Sequence, residues 1–281
     1  MKPYYLGVYE KSMPNSLALS EKLKEAKRLG FDYMEISIDE TDEKLERLKW
    51  SKEQRYKLAM AMFDSDINIA SMCLSGHRKY PLGSEDADIR ARSLEIMSDA
   101  IDFASDLGIR IIQLAGYDEY YNPSNMKTEK YFRENLRICT EMAAKRGVVL
   151  AFETMETSFM DTVEKSMKYT SAINSPYLGI YPDLGNLTNA AKLYGHSVTE
   201  DISLGSGHIF AMHLKETVPG KYREIPFGTG HVDFESGIRA ARDAGVRMFV
   251  GEFWYTGKED YVELMSSAHS FLRKRLDKIF C

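Results

Sequence analysis

Eight short apolar runs recur along the chain, at about residues 4–9, 33–38, 68–74, 110–115, 148–153, 178–182, 208–214 and 247–253. Most are continuous rather than alternating, as expected of strands covered on both faces. Between them, apolar residues fall at helical spacing over 17–29, 52–65, 87–107, 128–146, 161–174, 234–244 and 258–278, which predicts amphipathic helices. The stretch 188–205 is less regular and marks its helix weakly. One motif repeats: a helical segment ends in Gly and an apolar run follows at once. It occurs in "AKRLGFDYMEIS", "ASDLGIRIIQLAG", "AAKRGVVLAFE" and "ARDAGVRMFVGEF". Gly30, Gly108, Gly147 and Gly245 are therefore expected as left-handed helix stops that release the chain into a strand. Ser51–Gln54 and Asp161–Glu164 have the spacing of capping boxes and predict two helix starts.

Strand and helix alternate eight times with no linker, low-complexity tract or break in composition. An open doubly wound sheet is the competing arrangement, but no GxGxxG follows the first strand, and the eight-fold count favours closure. The pattern predicts one (β/α)8 TIM barrel over residues 1–281.

In such a barrel the chemistry lies at the C-terminal ends of the strands. The fifth predicted strand ends on Glu153, the sixth on Asp183, the seventh on His213 and the eighth on Glu252. One acid at a strand end is usually a solvated loop residue. Four ligand-type side chains closing four consecutive strands point to a divalent-metal site. The oxygen-rich set suits Mn, Mg or Co, and Zn also fits. His208 lies five residues before His213, so alternation turns it to the opposite face, where a structural hydrogen-bonding role is expected.

Composition narrows the function. The formal charge is −5, from 37 Lys and Arg against 42 Asp and Glu. That balance argues against a nucleic-acid footprint. No run approaches the length of a membrane span, and the first residues lack the apolar core of a secretory signal. Cys73, Cys139 and Cys281 are widely spaced and odd in number, and read as free thiols of a cytoplasmic protein.

Several loops offer substrate contacts. Ser75, His77 and Arg78, with the N–H of Gly76, form a compact set of anion donors after the third strand; a solvated basic turn is the plain alternative. Lys221 and Arg223 after the seventh strand and Lys11 after the first are further choices. Tyr117 is expected in the pocket wall, whereas Tyr120 and Tyr121 suit a surface equally well. Trp254 is expected beside the site or in a subunit contact.

The chain resembles the xylose isomerase-like TIM-barrel superfamily. Within it, the chain resembles the L-ribulose-5-phosphate (L-xylulose-5-phosphate) 3-epimerases of L-ascorbate utilisation, some of which are called hexulose-6-phosphate isomerases. The segments that carry the resemblance are "LGVYEKSMP", "GFDYMEISIDETDEKLERLKWS", "SMCLSGHRKYPLGSED", "GIRIIQLAGYDEYY", "YPDLGNL", "GHIFAMHLKET" and "PFGTGHVDF". The resemblance implies one divalent ion held by Glu153, Asp183, His213 and Glu252, with the two glutamates as the acid/base pair. It also implies a phosphorylated ketopentose substrate and a homodimer. Inversion at C3 needs proton donors and acceptors on opposite faces of the carbon, which two separate strand ends can supply. Three rivals stand beside this reading. An aldose–ketose isomerase would use the same metal site. A non-catalytic sugar-phosphate-binding protein would be expected to lack one of the glutamates. A DNA-repair endonuclease would need more histidines and a basic face.

Overall fold

The computed structural model describes residues 2–281. Its strands are β1 (Tyr5–Tyr9), β2 (Tyr33–Ile38), β3 (Asn68–Leu74), β4 (Ile111–Ala115), β5 (Val149–Glu153), β6 (Leu178–Tyr181), β7 (Met212–Leu214) and β8 (Met248–Gly251). The helices are α1 (Leu19–Arg28), α2 (Asp42–Glu46), α3 (Lys52–Ser65), α4 (Ala87–Leu107) and α5 (Met126–Arg146). They continue with α6 (Val163–Ile173), α7 (Leu184–Tyr194), α8 (Val198–Leu204), α9 (Phe234–Asp243) and α10 (Tyr261–Phe280). All strand pairs are parallel, and the ladder runs β6-β5-β4-β3-β2-β1-β8-β7. The predicted barrel is therefore present.

The seam between β6 and β7 closes by isolated bonds rather than by a ladder. Ile180 N–H donates to the His208 carbonyl at 2.9 Å, Phe210 N–H to the Ile180 carbonyl at 3.0 Å, and His213 N–H to the Pro182 carbonyl at 2.9 Å. Pro182 has no N–H to give back. Gly179 is required at this seam, because a Cβ there would lie 2.3 Å from the Phe210 ring and 2.5 Å from the His208 carbonyl oxygen. This irregularity shortens the predicted seventh strand from 208–214 to Met212–Leu214. His208 is exposed, and at the seam it takes part through its backbone carbonyl rather than through the side chain for which a structural hydrogen bond is expected.

The four predicted helix stops all adopt positive φ: 89° at Gly30, 73° at Gly108, 66° at Gly147 and 95° at Gly245. Ser51 and Gln54 form the expected capping box, with Gln54 N–H donating to Ser51 Oγ at 3.3 Å and Ser51 N–H to Gln54 Oε1 at 2.9 Å. At α6 the cap is Thr162, which accepts from Lys165 N–H at 3.2 Å, one residue later than expected. The irregular stretch 188–205 resolves into α7 and α8, separated by Gly195 at φ 71°.

Apolar packing forms two layers. The larger lies between strands and helices and includes Leu6, Ile36, Phe103, Phe132, Phe152, Leu214 and Phe249. The smaller fills the barrel axis with Tyr9, Tyr33, Cys73, Ile111, Ala151, Tyr181, Ala211 and Val250. Period-two alternation then turns Glu35, Gln113, Glu153, Asp183, His213 and Glu252 to the same inner face, above that plug. None of the helices among the described residues is long and apolar enough to cross a membrane.

Candidate active site

Glu153, Asp183, His213 and Glu252 converge as the spacing predicts. Each is buried, and each offers a ligand atom within 4.8 Å of the others. The closing bridge between Asp183 and His213 sets two of them side by side. Asp183 also caps α7, accepting from Asn186 N–H at 2.6 Å, which orients its carboxylate. Gln113 donates an amide N–H to Glu153 Oε2.

The charges explain why this cluster can exist. Lys215 is buried with Nζ 3.3 Å from Asp183 Oδ1 and 3.2 Å from Glu252 Oε2. Burial disfavours its charge, but Asp183 and Glu252 outweigh that and hold its pKa above the ordinary 10.5. Burial also pushes Glu252 up, yet Lys215 and His213 overcome it and bring the carboxyl down to about 2. For Asp183 burial wins over Lys215, with Glu252 and Glu153 adding to it, and the group rises to about 7. Burial would make His213 less basic, but Glu35 and Glu252 lift it well above 6.5.

A divalent ion fits these residues. Asp183 Oδ2 and Glu252 Oε2 are buried and accept no hydrogen bond; Lys215 approaches the latter as a charge without hydrogen-bond alignment. Unpaired buried carboxylate oxygens are costly unless a cation meets them. Three carboxyl groups stand against one lysine in the cluster, an excess of acid that a divalent cation would balance once Asp183 and His213 give up their protons.

A cavity opens onto the cluster. Ser75, Arg78, Arg223 and Trp254 line it together with Glu153 and Glu252. Arg78 lies over the Tyr120 ring at 4.6 Å, its buried Nε has no partner, and it forms no ion pair among the described residues. Arg223, by contrast, is paired with Glu156 at 2.9 Å. Lys11 also borders the cavity, with Nζ 2.5 Å from Asp39. Lys221 is exposed and does not line it.

Two expected contacts lie elsewhere. His77 is buried with Nε2 3.2 Å from the Ser93 carbonyl, so its ring pins the turn Ser75–Arg78 to α4. Burial lowers its pKa to about 4, which leaves it neutral and no partner for an anion at neutral pH. The compact donor set thus keeps Ser75 and Arg78 and loses His77, because residues three apart in a 3-10 turn share a face and His77 lies off it. Tyr117 packs behind the wall against Ala115 and Met155 rather than on the cavity surface.

The strand-end reading passed over Glu35, Gln113, Lys215 and Glu156. The first two had a visible signal: a carboxyl or amide side chain inside the otherwise largely apolar runs "YMEISI" and "IIQLA". Lys215 follows His213 by two residues and so shares its face.

Residues 23–275 match the family model of the xylose isomerase-like TIM barrel. Two relatives, both L-ribulose-5-phosphate 3-epimerase UlaE, come from Shigella boydii serotype 18 (strain CDC 3083-94 / BS512) and Escherichia coli O157:H7. Each is 43% identical over 274 residues, which is 97% of this chain and 95% of the relative. Among solved structures, L-ribulose 3-epimerase aligns with a TM-score of 0.77 at 18% identity, covering 98% of this chain and 95% of its own. The IOLI protein with a bound zinc atom aligns at 0.78 and 18%, covering 98% and 99%. At such identities the structural likeness speaks for the fold, and the sequence match speaks for the family. The chain belongs to the xylose isomerase-like TIM barrel family and, within it, groups with the L-ribulose-5-phosphate 3-epimerases.

Proposed function

We propose that this protein interconverts L-ribulose 5-phosphate and L-xylulose 5-phosphate by moving the proton on C3. The observation that carries the proposal is the pair Glu153 and Glu252, which come from strands three apart, share one metal-ligand cluster and line one cavity. The relatives that share 43% of the sequence bear the name of this activity.

C3–H of a 2-ketose is acidified by the neighbouring C2 carbonyl. Removing its proton gives an enediolate, planar at C3, that can be reprotonated from either side. A carboxylate on one side takes the proton and a carboxylic acid on the other returns one, which inverts the carbon. After one turnover the first glutamate carries the proton and the second has lost it, so the enzyme that releases product is poised for the reverse reaction. Glu252 suits the base role because Lys215 and His213 hold it ionised despite burial. Gln113 fixes the rotamer of Glu153 through its hydrogen bond to Oε2. Bound among Glu153, Asp183, His213 and Glu252, a divalent ion such as Mn, Zn, Mg or Co supplies a Lewis acid for the charge that develops beside C3.

For the phosphate, Arg78 and Ser75 are the donors we assign, since Lys11 and Lys215, which also line the cavity, are held by Asp39 and by Asp183 and Glu252. The Arg78 guanidinium forms no ion pair among the described residues and has an unpartnered Nε, while Arg223 is committed to Glu156. The test is product analysis with the metal-loaded protein and L-ribulose 5-phosphate. Formation of the C3 epimer supports the proposal, and an aldose phosphate as sole product contradicts it.

A further inference from the structure

Glu35 belongs to none of the four ligand positions, yet it is fully buried at the centre of the barrel. Its Oε1 lies 2.6 Å from His213 Nε2. Its Oε2 accepts from Ser71 Oγ at 2.6 Å and from Tyr181 OH at 2.8 Å. A carboxylate with both oxygens so occupied has little freedom to rotate. On the other side of the imidazole, Nδ1 lies 3.4 Å from Glu153 Oε1 and 3.6 Å from Glu252 Oε2, within the cluster. Tyr181 holds the ring plane as well, with its own ring edge-on at 4.9 Å between centroids and 68° between planes.

The strand pairing shows how this arrangement is built. Met34 on β2 pairs with Ile69 on β3, but the next residue, Glu35, pairs with Ser71. One extra residue, Ala70, enters β3 at that step. The bulge brings the Ser71 hydroxyl opposite Glu35, where an even ladder would set Ala70. Bulges next to active sites commonly re-aim a side chain in this way.

We infer that Glu35 is a positioning residue for the metal centre: it keeps the proton of His213 on Nε2, so that the Nδ1 lone pair is the one presented to the ion. The inference rests on the metal reading of the site given above. A carboxylate behind a ligating histidine fixes the tautomer and makes the ring a better donor. Ser71 and Tyr181 in turn fix the carboxylate. Glu35→Gln keeps an oxygen for Nε2–H but sets an amide N–H₂ against two hydroxyl donors. Tyr181→Phe removes one of those donors and leaves the Glu35 side chain itself in place.

The experiment is titration of Mn²⁺ into the metal-free wild type, Glu35→Gln and Tyr181→Phe by calorimetry. It is paired with ¹⁵N-histidine spectra of the Zn²⁺-loaded proteins, the His213 signal being assigned by its loss in His213→Gln. The expected results are one Mn²⁺ per wild-type chain, affinity weaker by about 10- to 100-fold in Glu35→Gln, and a smaller loss in Tyr181→Phe. The wild-type spectrum should place the His213 proton on Nε2, and Glu35→Gln should weaken or shift that signature. If Glu35→Gln does not fold, Tyr181→Phe and the wild-type spectrum decide. Wild-type binding with both variants unchanged, or a His213 proton on Nδ1, overturns this inference and leaves the metal site standing. No Mn²⁺ or Zn²⁺ binding by the wild type overturns the metal reading and this inference with it.

Discussion

Glu153 and Glu252 end strands three apart in the barrel, yet each places a carboxylate oxygen near the same atom, His213 Nδ1, at 3.4 and 3.6 Å. One imidazole edge therefore approaches both groups assigned to proton transfer. Both carboxylates are thus close enough to share a cation while coming from separate strands. Glu153→Gln and Glu252→Gln, nearly isosteric changes, are each expected to lower kcat by about 10²- to 10⁴-fold while keeping the wild-type circular dichroism spectrum. Turnover within about threefold of wild type in either variant would contradict the two-carboxylate account.

Metal uptake should depend on pH in a defined direction. In the metal-free protein Asp183 is raised to about 7 and His213 well above 6.5, so both carry protons in mildly acidic solution. A cation needs the Asp183 carboxylate and a free Nδ1, and must displace those protons. Affinity should rise with pH between 6 and 8, with more protons released per ion bound at the acid end of that range than at the alkaline end. Calorimetry in buffers of different ionisation enthalpy counts them directly. Proton-independent binding across that range would contradict the charge assignment.

Acid stability should report on Glu10, just past β1. Its carboxylate takes Lys44 at 2.6 Å, Arg47 at 2.8 Å, the more distant Lys22 at 3.4 Å, and the Ser37 N–H at 2.9 Å. Burial raises its pKa, but Arg47, Lys44 and Lys22 outweigh that and bring it from 4.5 to about 2. A carboxyl depressed by folding contributes stability that is full above its unfolded pKa and lost as pH falls through the folded one. Here the window is about pH 4.5 to 2, and the change is about 3 kcal/mol. Urea unfolding of Glu10→Gln at neutral pH should show a loss of about 3–5 kcal/mol, since three cations lose their anion. A wild-type-like midpoint in that variant would contradict the account.

Phosphate recognition by Arg78 is tested by substrate comparison. Arg78→Ala should raise KM for the phosphorylated ketopentose by at least about tenfold, given the strength of charge-assisted contacts. Turnover of the unphosphorylated sugar should stay within about twofold, because that substrate carries no anion for the guanidinium to bind. His77→Gln, with its ring turned to Ser93, should leave KM near wild type. An unchanged KM in Arg78→Ala would move the phosphate elsewhere in the cavity.

The barrel was legible in the sequence because its signals are local. A Gly such as Gly108 or Gly147 that stops a helix and starts a strand is written in adjacent residues, and so is the acid that closes β5. The seventh strand was misjudged because its length is set by the seam, where Pro182 offers no N–H and Phe210 lies over Gly179. The role of His77 was misjudged because nothing near it in sequence reveals that Ser93, sixteen residues on, stands opposite its ring. Glu35 lies 178 residues before the histidine it bonds. Its polarity in an apolar strand could be seen in the sequence, whereas its partner could be found only in three dimensions. Lys215 follows the same rule: its position on the inner face is local, while its pairing with Asp183 and Glu252 is tertiary.

The central claim is proton exchange at one carbon between two carboxylates. Its most direct test is a proton NMR time course in D₂O with the metal-loaded protein and L-ribulose 5-phosphate. The account predicts growth of L-xylulose 5-phosphate with deuterium entering at C3 and at no other carbon. Deuterium at C1 or C2 with an aldose product, or epimerisation without any deuterium at C3, would contradict it.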